Sequence, residues 1–167
     1  MRIFCLPSSG VIPLHNHPGI TVFSKLLFGT MHIKSYDWVV DLPPESPIIF
    51  KPTEYQALEM RLAKVKVDAD FTGPCNPSIL YPEDGGNMHC FTAVTACMLL
   101  DVLGPPYSDY EGRHCTYYNN YPFSNISEGI SIPEEERNGY EWLQEKEQLE
   151  DLEVDGKMYS GPKIHES

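Results

Sequence analysis

The chain has 167 residues, with 24 acidic and 12 basic side chains and a formal net charge of −12. This charge argues against binding to the phosphate backbone of nucleic acids. No run of eighteen apolar residues and no signal-peptide pattern at the start argue against a membrane protein. Five cysteines without a Cys-x-x-Cys pair argue against a disulfide framework or a cysteine zinc site and favour a reducing compartment.

The length predicts one domain with a single core. Fifteen prolines and twelve glycines among β-branched and aromatic residues favour short strands and turns over helices. In chain order, strands are predicted over residues 3–6, 11–17, 20–27, 30–38, 78–81, 89–103 and 115–118. A loop is predicted at residues 41–47, and residues 56–67 fit a helix or an exposed strand about equally well. The pattern predicts an all-β sandwich or small barrel.

Two histidines, His15 and His17, stand two residues apart in an apolar run. Residues i and i+2 of an extended strand point to the same face, so both imidazoles can aim at one point. A third histidine, His89, follows a Gly-rich turn and begins a second β-rich run. Three imidazoles from two strands suit a first-row metal with open positions for chemistry. The alternatives are a chance pair at a strand end and a hydrogen-bonded core histidine.

The spacing of these histidines resembles the two motifs of the cupin superfamily. The matching positions are Gly10, His15, His17 and Gly29 in the first motif and Pro82, Gly85, Gly86 and His89 in the second. The glutamate of the first motif is missing, because its position holds an apolar or neutral residue (Thr21 or Val22). Three neutral ligands leave a divalent ion its full double positive charge, which favours direct binding of an anionic ligand such as a thiolate.

Longer motifs over residues 22–29, 32–38, 86–89, 100–107, 112–118 and 161–164 are similar to those of the plant cysteine oxidases, thiol dioxygenases related to animal cysteamine dioxygenase. The resemblance implies a cupin-type double-stranded β-helix (jelly-roll) barrel with a short helical or irregular C-terminal tail. It also implies Fe(II) as cofactor. The implied reaction is oxidation of the N-terminal cysteine of a protein by O₂ to cysteine sulfinic acid, a signal for the N-degron pathway. Hypoxia-response transcription factors are the expected partners, and a monomer in cytoplasm and nucleus is expected.

By this resemblance, His15, His17 and His89 match the iron ligands, and Asp101 matches a carboxylate near the iron that helps to position substrate. We assign Asp101 the role of pairing with the α-ammonium group of the substrate. Asp101 lies twelve residues after His89, a distance of about 40 Å in a straight strand. The run must therefore fold back, and we expect the break near residues 95–97. The alternative is that Asp101 is a turn or capping residue.

Three further residues match family positions near the pocket, Tyr107, Cys115 and Tyr117. Cys115 and Tyr117 are two residues apart and can share a face. A hydrogen bond from either tyrosine to bound oxygen is the expected contribution. The alternative is that both tyrosines are packing residues whose hydroxyls have other partners.

The composition divides the chain into residues 1–125, predicted to form the barrel, and an acidic tail over residues 126–167. The barrel is expected to be shortened at its N-terminus relative to the family, which predicts an open sheet edge. The tail carries 12 acidic and 4 basic residues, a net charge of −8. A helix start is predicted at residues 131–136, and Trp142, Leu143 and Leu149 are expected to dock the tail on the barrel.

Two other functions fit the same residues. One is a dioxygenase of small free thiols such as cysteamine. The other is a catalytically inactive cupin that binds a metal or a peptide. Zinc is the alternative to iron, because the general affinity order favours the later first-row metals.

Overall fold

The computed structural model of the protein describes residues 1–39, 60–123, 132–146, 152, 154–158 and 160–161. In chain order the strands are β1 (Arg2–Leu6), β2 (Val11–His15), β3 (Thr21–Phe28), β4 (Thr30–Trp38), β5 (Arg61–Thr72), β6 (Ser78–Leu80), β7 (Met88–Ala93), β8 (Cys97–Gly104), β9 (Tyr117–Pro122) and β10 (Tyr140–Lys146). Two short 3-10 helices span Asp109–Glu111 and Glu134–Gly139. Across these ranges, no helix combines the length and the apolar character needed to cross a membrane.

The strands form two antiparallel layers. Four strands make an open sheet in the order β1-β8-β3-β6, and six close into a barrel in the order β10-β5-β4-β7-β2-β9. Together with the nearly complete lack of helix, this arrangement confirms the all-β prediction and is compatible with a cupin jelly roll. Prolines or glycines directly follow β1, β3 and β5, and β8 ends at Gly104 before Pro105, so these residues end several of the strands.

Alternation along the strands builds two neighbouring hydrophobic clusters, and the described residues form a third around Trp142. Between the open sheet and strands β4 and β7 lies a first cluster, formed by Leu6, Leu26, Met31, Phe91, Ala93, Cys97 and Leu99. Inside the closed barrel lies a second, formed by Leu14, Tyr36, Ala63, Met88, Tyr118 and Leu143. Successive side chains of β7 serve both, because Phe91 joins the first cluster while Cys90 packs against the second.

The predicted run over residues 89–103 is two strands with a turn between them. Strand β7 ends at Ala93 and β8 begins at Cys97, so the predicted break is confirmed. The turn also moves the chain from the barrel to the open sheet, where β8 pairs with β1 and β3. Asp101 therefore lies on the open sheet, whereas His89 lies on the barrel.

Several element boundaries differ from those predicted. Strand β2 ends at His15, so His17 lies just beyond it rather than within it. The ambiguous residues 56–67 are a strand from Arg61 onward, while residues 56–59 and the predicted loop at 41–47 lie outside the described residues. Glu134–Gly139 is a 3-10 helix with Pro133 in front and acidic residues in its first turn, close to the predicted helix start.

Strand β10, from the acidic C-terminal region, is a strand of the barrel itself. It pairs with β5 on one side and β9 on the other, and Trp142 and Leu143 are buried. Glu141 points into the barrel, where Lys34 Nζ (2.5 Å), Tyr36 Oη (2.7 Å) and Asn120 Nδ2 (2.7 Å) donate to its carboxylate. This region thus completes the barrel, whereas Leu149 lies outside the described residues and the domain boundary at residue 125 stays a prediction.

Candidate metal centre

An irregularity in strand β2 aims His15 at His89. Ile12 pairs with Phe91, and His15 pairs with His89, so β2 holds one more residue than β7 between these two pairs. Such a β-bulge re-aims the side chains that follow it and is common beside functional sites. His15 therefore faces the same side as Ile12, toward the first core cluster, instead of the inside of the closed barrel.

The three histidine rings converge. The ring centroids lie 4.7 Å apart for His15 and His17, 4.8 Å for His15 and His89, and 4.7 Å for His17 and His89. One ring nitrogen from each lies within 4.8 Å of the others. His17 follows the strand directly, and a hydrogen bond from the Ile20 amide to its carbonyl (3.1 Å) closes the turn. The structure thus brings together the three ligands predicted from the sequence.

Backbone carbonyls orient two of the rings. His15 Nδ1 lies 2.8 Å from the carbonyl oxygen of Pro13, and His17 Nδ1 lies 3.1 Å from that of Asn87. A carbonyl only accepts a hydrogen bond, so each Nδ1 carries the proton and each Nε2 keeps a free lone pair. A hydrogen bond of this kind from the second ring nitrogen is the usual support of a metal-bound histidine.

The environment of His89 supports the same conclusion. This residue is 1% exposed, and neither ring nitrogen has a hydrogen-bond partner in the part of the chain that the structure describes. A buried polar atom without a partner costs about 1–3 kcal/mol, and a metal ion between the three rings would remove that cost for the nitrogen that binds it. The residues present therefore fit a first-row divalent metal ion.

Burial keeps the three imidazoles neutral. Loss of solvent lowers the pKa of His15, and it lowers the pKa of His17 to about 4, helped by the nearby His15. Burial and the two neighbouring rings also hold the pKa of His89 well below its ordinary value. Neutral imidazoles present lone pairs at neutral pH, as metal binding requires.

Aromatic side chains enclose the histidines. Phe91 stacks on His89 with centroids 4.3 Å apart, and Tyr107 stacks on His17 at 5.5 Å. Tyr117 is paired with His15 across β9 and β2, and the two rings lie 5.9 Å apart. The structure thus places both predicted tyrosines beside the candidate ligands.

The tyrosine hydroxyls remain protonated. Burial, with the Cys115 thiol nearby, raises the pKa of both Tyr107 and Tyr117. Tyr107 donates to the carbonyl oxygen of Asn16, 2.8 Å away, so its proton is already used to hold the segment between His15 and His17. Tyr117 is accordingly the better candidate for donating a hydrogen bond to a ligand in the site.

Asp101 is buried in the middle of β8, on the same face as Leu99. Its Oδ1 accepts a hydrogen bond from Ser24 Oγ, 2.6 Å away on β3. Burial raises the pKa of Asp101, and the Ser24 hydrogen bond partly opposes this shift. An inward-facing carboxylate in a central strand differs from a turn or capping residue, and it is suited to receive a cationic group.

Sequence reasoning missed the residues that support the ligands, chiefly Asn87 and Asp37. Asn87 lies inside the motif of residues 86–89, but nothing in the motif shows that its side chain contacts His17. Asp37 is 50 positions from Asn87 in sequence, and it accepts hydrogen bonds from the amides of Gly85 (3.2 Å) and Gly86 (2.9 Å). Such long-range contacts leave no local signal.

The fold and the three-histidine site together define a cupin-type protein with a candidate metal centre, and the comparison with known proteins gives its family. The chain belongs to the PCO_ADO family, whose sequence profile matches residues 1–164. This confirms the family resemblance seen in the sequence.

Named relatives include enzymes of plants and animals. The chain is 66% identical to plant cysteine oxidase 2 of Arabidopsis thaliana, an alignment that covers 98% of this chain and 56% of that protein. It is 59% identical to plant cysteine oxidase 1 of the same organism, over 98% of this chain and 54% of that protein. Human 2-aminoethanethiol dioxygenase is 33% identical over 98% of this chain and 63% of that protein. The chain thus spans about half the length of the plant relatives.

Proposed function

We propose that the protein is a non-haem Fe(II) thiol dioxygenase that oxidises the N-terminal cysteine of target proteins to cysteine sulfinic acid. The observation that carries the proposal is the convergence of three neutral imidazoles in a member of the PCO_ADO family, with no carboxylate in the group among the residues that the structure describes. His15, His17 and His89 would hold the iron. When bound, iron supplies the redox chemistry that joins O₂ to sulfur, and both oxygen atoms end on the sulfur, so no external reductant is needed.

The protein's own residues would bind and orient the substrate. A peptide that begins with cysteine carries an α-ammonium group, and the buried carboxylate of Asp101 is the group that pairs with it. Because burial disfavours the lone carboxylate, an ammonium ion beside it stabilises the charged form. The hydroxyl of Tyr117 would donate a hydrogen bond within the site, while Tyr107 holds the backbone at Asn16.

The proposed partners are proteins with an N-terminal cysteine, in particular hypoxia-response transcription factors, together with O₂. The protein would then act as an oxygen sensor for the N-degron pathway, as a monomer in the cytoplasm and the nucleus. The names of the two plant relatives support a cysteine substrate. The human relative, 2-aminoethanethiol dioxygenase, supports cysteamine as the second candidate.

A peptide that begins with cysteine is expected to gain two oxygen atoms when the iron-loaded protein is exposed to air. Mass spectrometry measures the gain, and no gain is expected under nitrogen or for a matched peptide that begins with alanine. Competition with an equal concentration of cysteamine decides between the two substrates. If protein with one iron per chain leaves both thiols unchanged in air, the proposal is wrong.

A further inference from the structure

Asn87 contacts His17 through both its side chain and its backbone. The amide of His17 donates to Asn87 Oδ1 (3.0 Å), and His17 Nδ1 donates to the Asn87 carbonyl oxygen (3.1 Å). The Asn87 side chain in turn donates from Nδ2 to the carbonyl oxygens of Ile20 (3.2 Å) and Tyr81 (3.1 Å). Asn87 is buried, so the bonds to Ile20 and His17 are shielded from competition by water.

Three of these four hydrogen bonds require a carboxamide, while the fourth uses the backbone carbonyl of Asn87. The oxygen of the side chain accepts from an amide, and its nitrogen donates to two carbonyl groups. Exchanging the oxygen would set two donors against each other, and exchanging the nitrogen would set acceptors against acceptors. Aspartate has the same shape but offers an acceptor to the carbonyls of Ile20 and Tyr81. The site therefore distinguishes asparagine from a residue of the same size.

The loop that carries Asn87 is held by hydrogen bonds to strand β4. The carboxylate of Asp37 on β4 accepts hydrogen bonds from the backbone amides of Gly85, Gly86 and Asn87, the last at 3.4 Å. Lys66 Nζ lies 3.2 Å from the same carboxylate. Because the loop runs directly into His89, one rigid segment fixes His89 through the chain and His17 through Asn87.

We propose that Asn87 is a positioning residue of the metal centre. Its carboxamide holds the backbone of His17 in place, so that His17 Nδ1 meets the Asn87 carbonyl oxygen and Nε2 faces His15 and His89. The inference rests on the metal binding of the proposed function but not on its thiol chemistry. Loss of a residue that orients a metal ligand typically lowers metal affinity 10–100-fold. We expect a loss of about that size when the Asn87 carboxamide is removed.

The test is an anaerobic titration of the metal-free protein with Co²⁺, followed by its visible absorption. Asn87→Ala and the isosteric Asn87→Asp are expected to raise the Kd for Co²⁺ by about 10–100-fold. Asn120→Ala removes an asparagine of β9 whose side chain donates to Glu141, and as the control it is expected to bind Co²⁺ like the wild type.

A second measurement separates positioning from general destabilisation, because it reports the tautomer of His17 directly in folded protein. Long-range ¹H–¹⁵N NMR of the metal-free wild-type protein is expected to show the His17 proton on Nδ1, and folded Asn87→Ala is expected to show a mixture of tautomers. The inference is wrong if the wild-type His17 proton is on Nε2, or if Asn87→Ala binds Co²⁺ as tightly as the wild type. Failure of thiol oxidation with normal Co²⁺ binding would contradict the proposed function alone.

Discussion

Replacing His89 with leucine is expected to abolish metal binding and to stabilise the metal-free protein at the same time. His89 is 1% exposed, and its two ring nitrogens have no hydrogen-bond partner among the residues described. Leucine of similar size would remove both polar atoms from a site that already contacts Phe91. The free energy of unfolding in the presence of a chelator should rise by about 1–3 kcal/mol, the cost of leaving a buried polar group unpaired.

Urea denaturation with EDTA measures the stability, and Fe²⁺ or Co²⁺ titration measures the binding. His15→Leu is the matched control, because it also removes a ligand but leaves the carbonyl of Pro13 without its donor. That variant should lose metal binding without the gain in stability. A His89→Leu protein that is less stable than the wild type in EDTA, or that still binds metal with wild-type affinity, would contradict the assignment of His89.

The Gly86→Ala variant is expected to unfold more easily than the wild type by about 2–5 kcal/mol. Gly86 has φ +79°, a left-handed conformation that costs other residues about 1–2 kcal/mol. An added Cβ would overlap Ser35 Oγ and lie 2.7 Å from Ser35 Cβ, and overpacking of this kind costs about 1–3 kcal/mol. Ser35 is buried on β4 directly opposite His89, so the strain would reach the metal centre.

A second glycine separates the two causes. Gly112 has φ +72°, but a Cβ added there meets nothing within 4 Å, so Gly112→Ala should cost only the conformational part. The free energies of unfolding of both variants come from urea denaturation. Combining Gly86→Ala with Ser35→Gly should restore part of the loss. Equal destabilisation by the two single substitutions would show that the contact with Ser35 does not matter.

The three ligands could be predicted because their signal is local. His15 and His17 are neighbours in sequence, and His89 follows its glycine turn directly. The directions of the two histidine side chains could not be predicted. They depend on the bulge between Ile12 and His15, which is defined only by the pairing of β2 with β7. A straight strand over residues 11–17 would have placed both rings by simple alternation, whereas the structure places His17 in the turn after the strand.

The path of Asp101 was partly predictable. Its distance from His89 in sequence required the chain to fold back, and the turn at residues 94–96 does so. The hydrogen bond to Ser24 could not be foreseen, because it depends on the register between β8 and β3.

Strand β10 could not be predicted from the sequence, because it lies in an acidic region. The region after residue 125 has a net charge of −8, which is typical of a solvated segment. Yet Glu141 faces the inside of the barrel, because Lys34, Tyr36 and Asn120 donate to its carboxylate. These hydrogen bonds outweigh burial and hold the pKa of Glu141 below its ordinary value. The sequence around Glu141 predicts an exposed charge, because its three hydrogen-bond partners are distant in sequence.

X-ray absorption spectroscopy of the iron-loaded protein tests most directly whether three imidazoles share one metal ion. The account predicts one iron per chain, a spectrum that fits three histidine ligands in the wild type, and two in any His15→Ala protein that still retains iron. Fewer than three histidines in the wild-type spectrum, or an unchanged count after loss of His15, would contradict it.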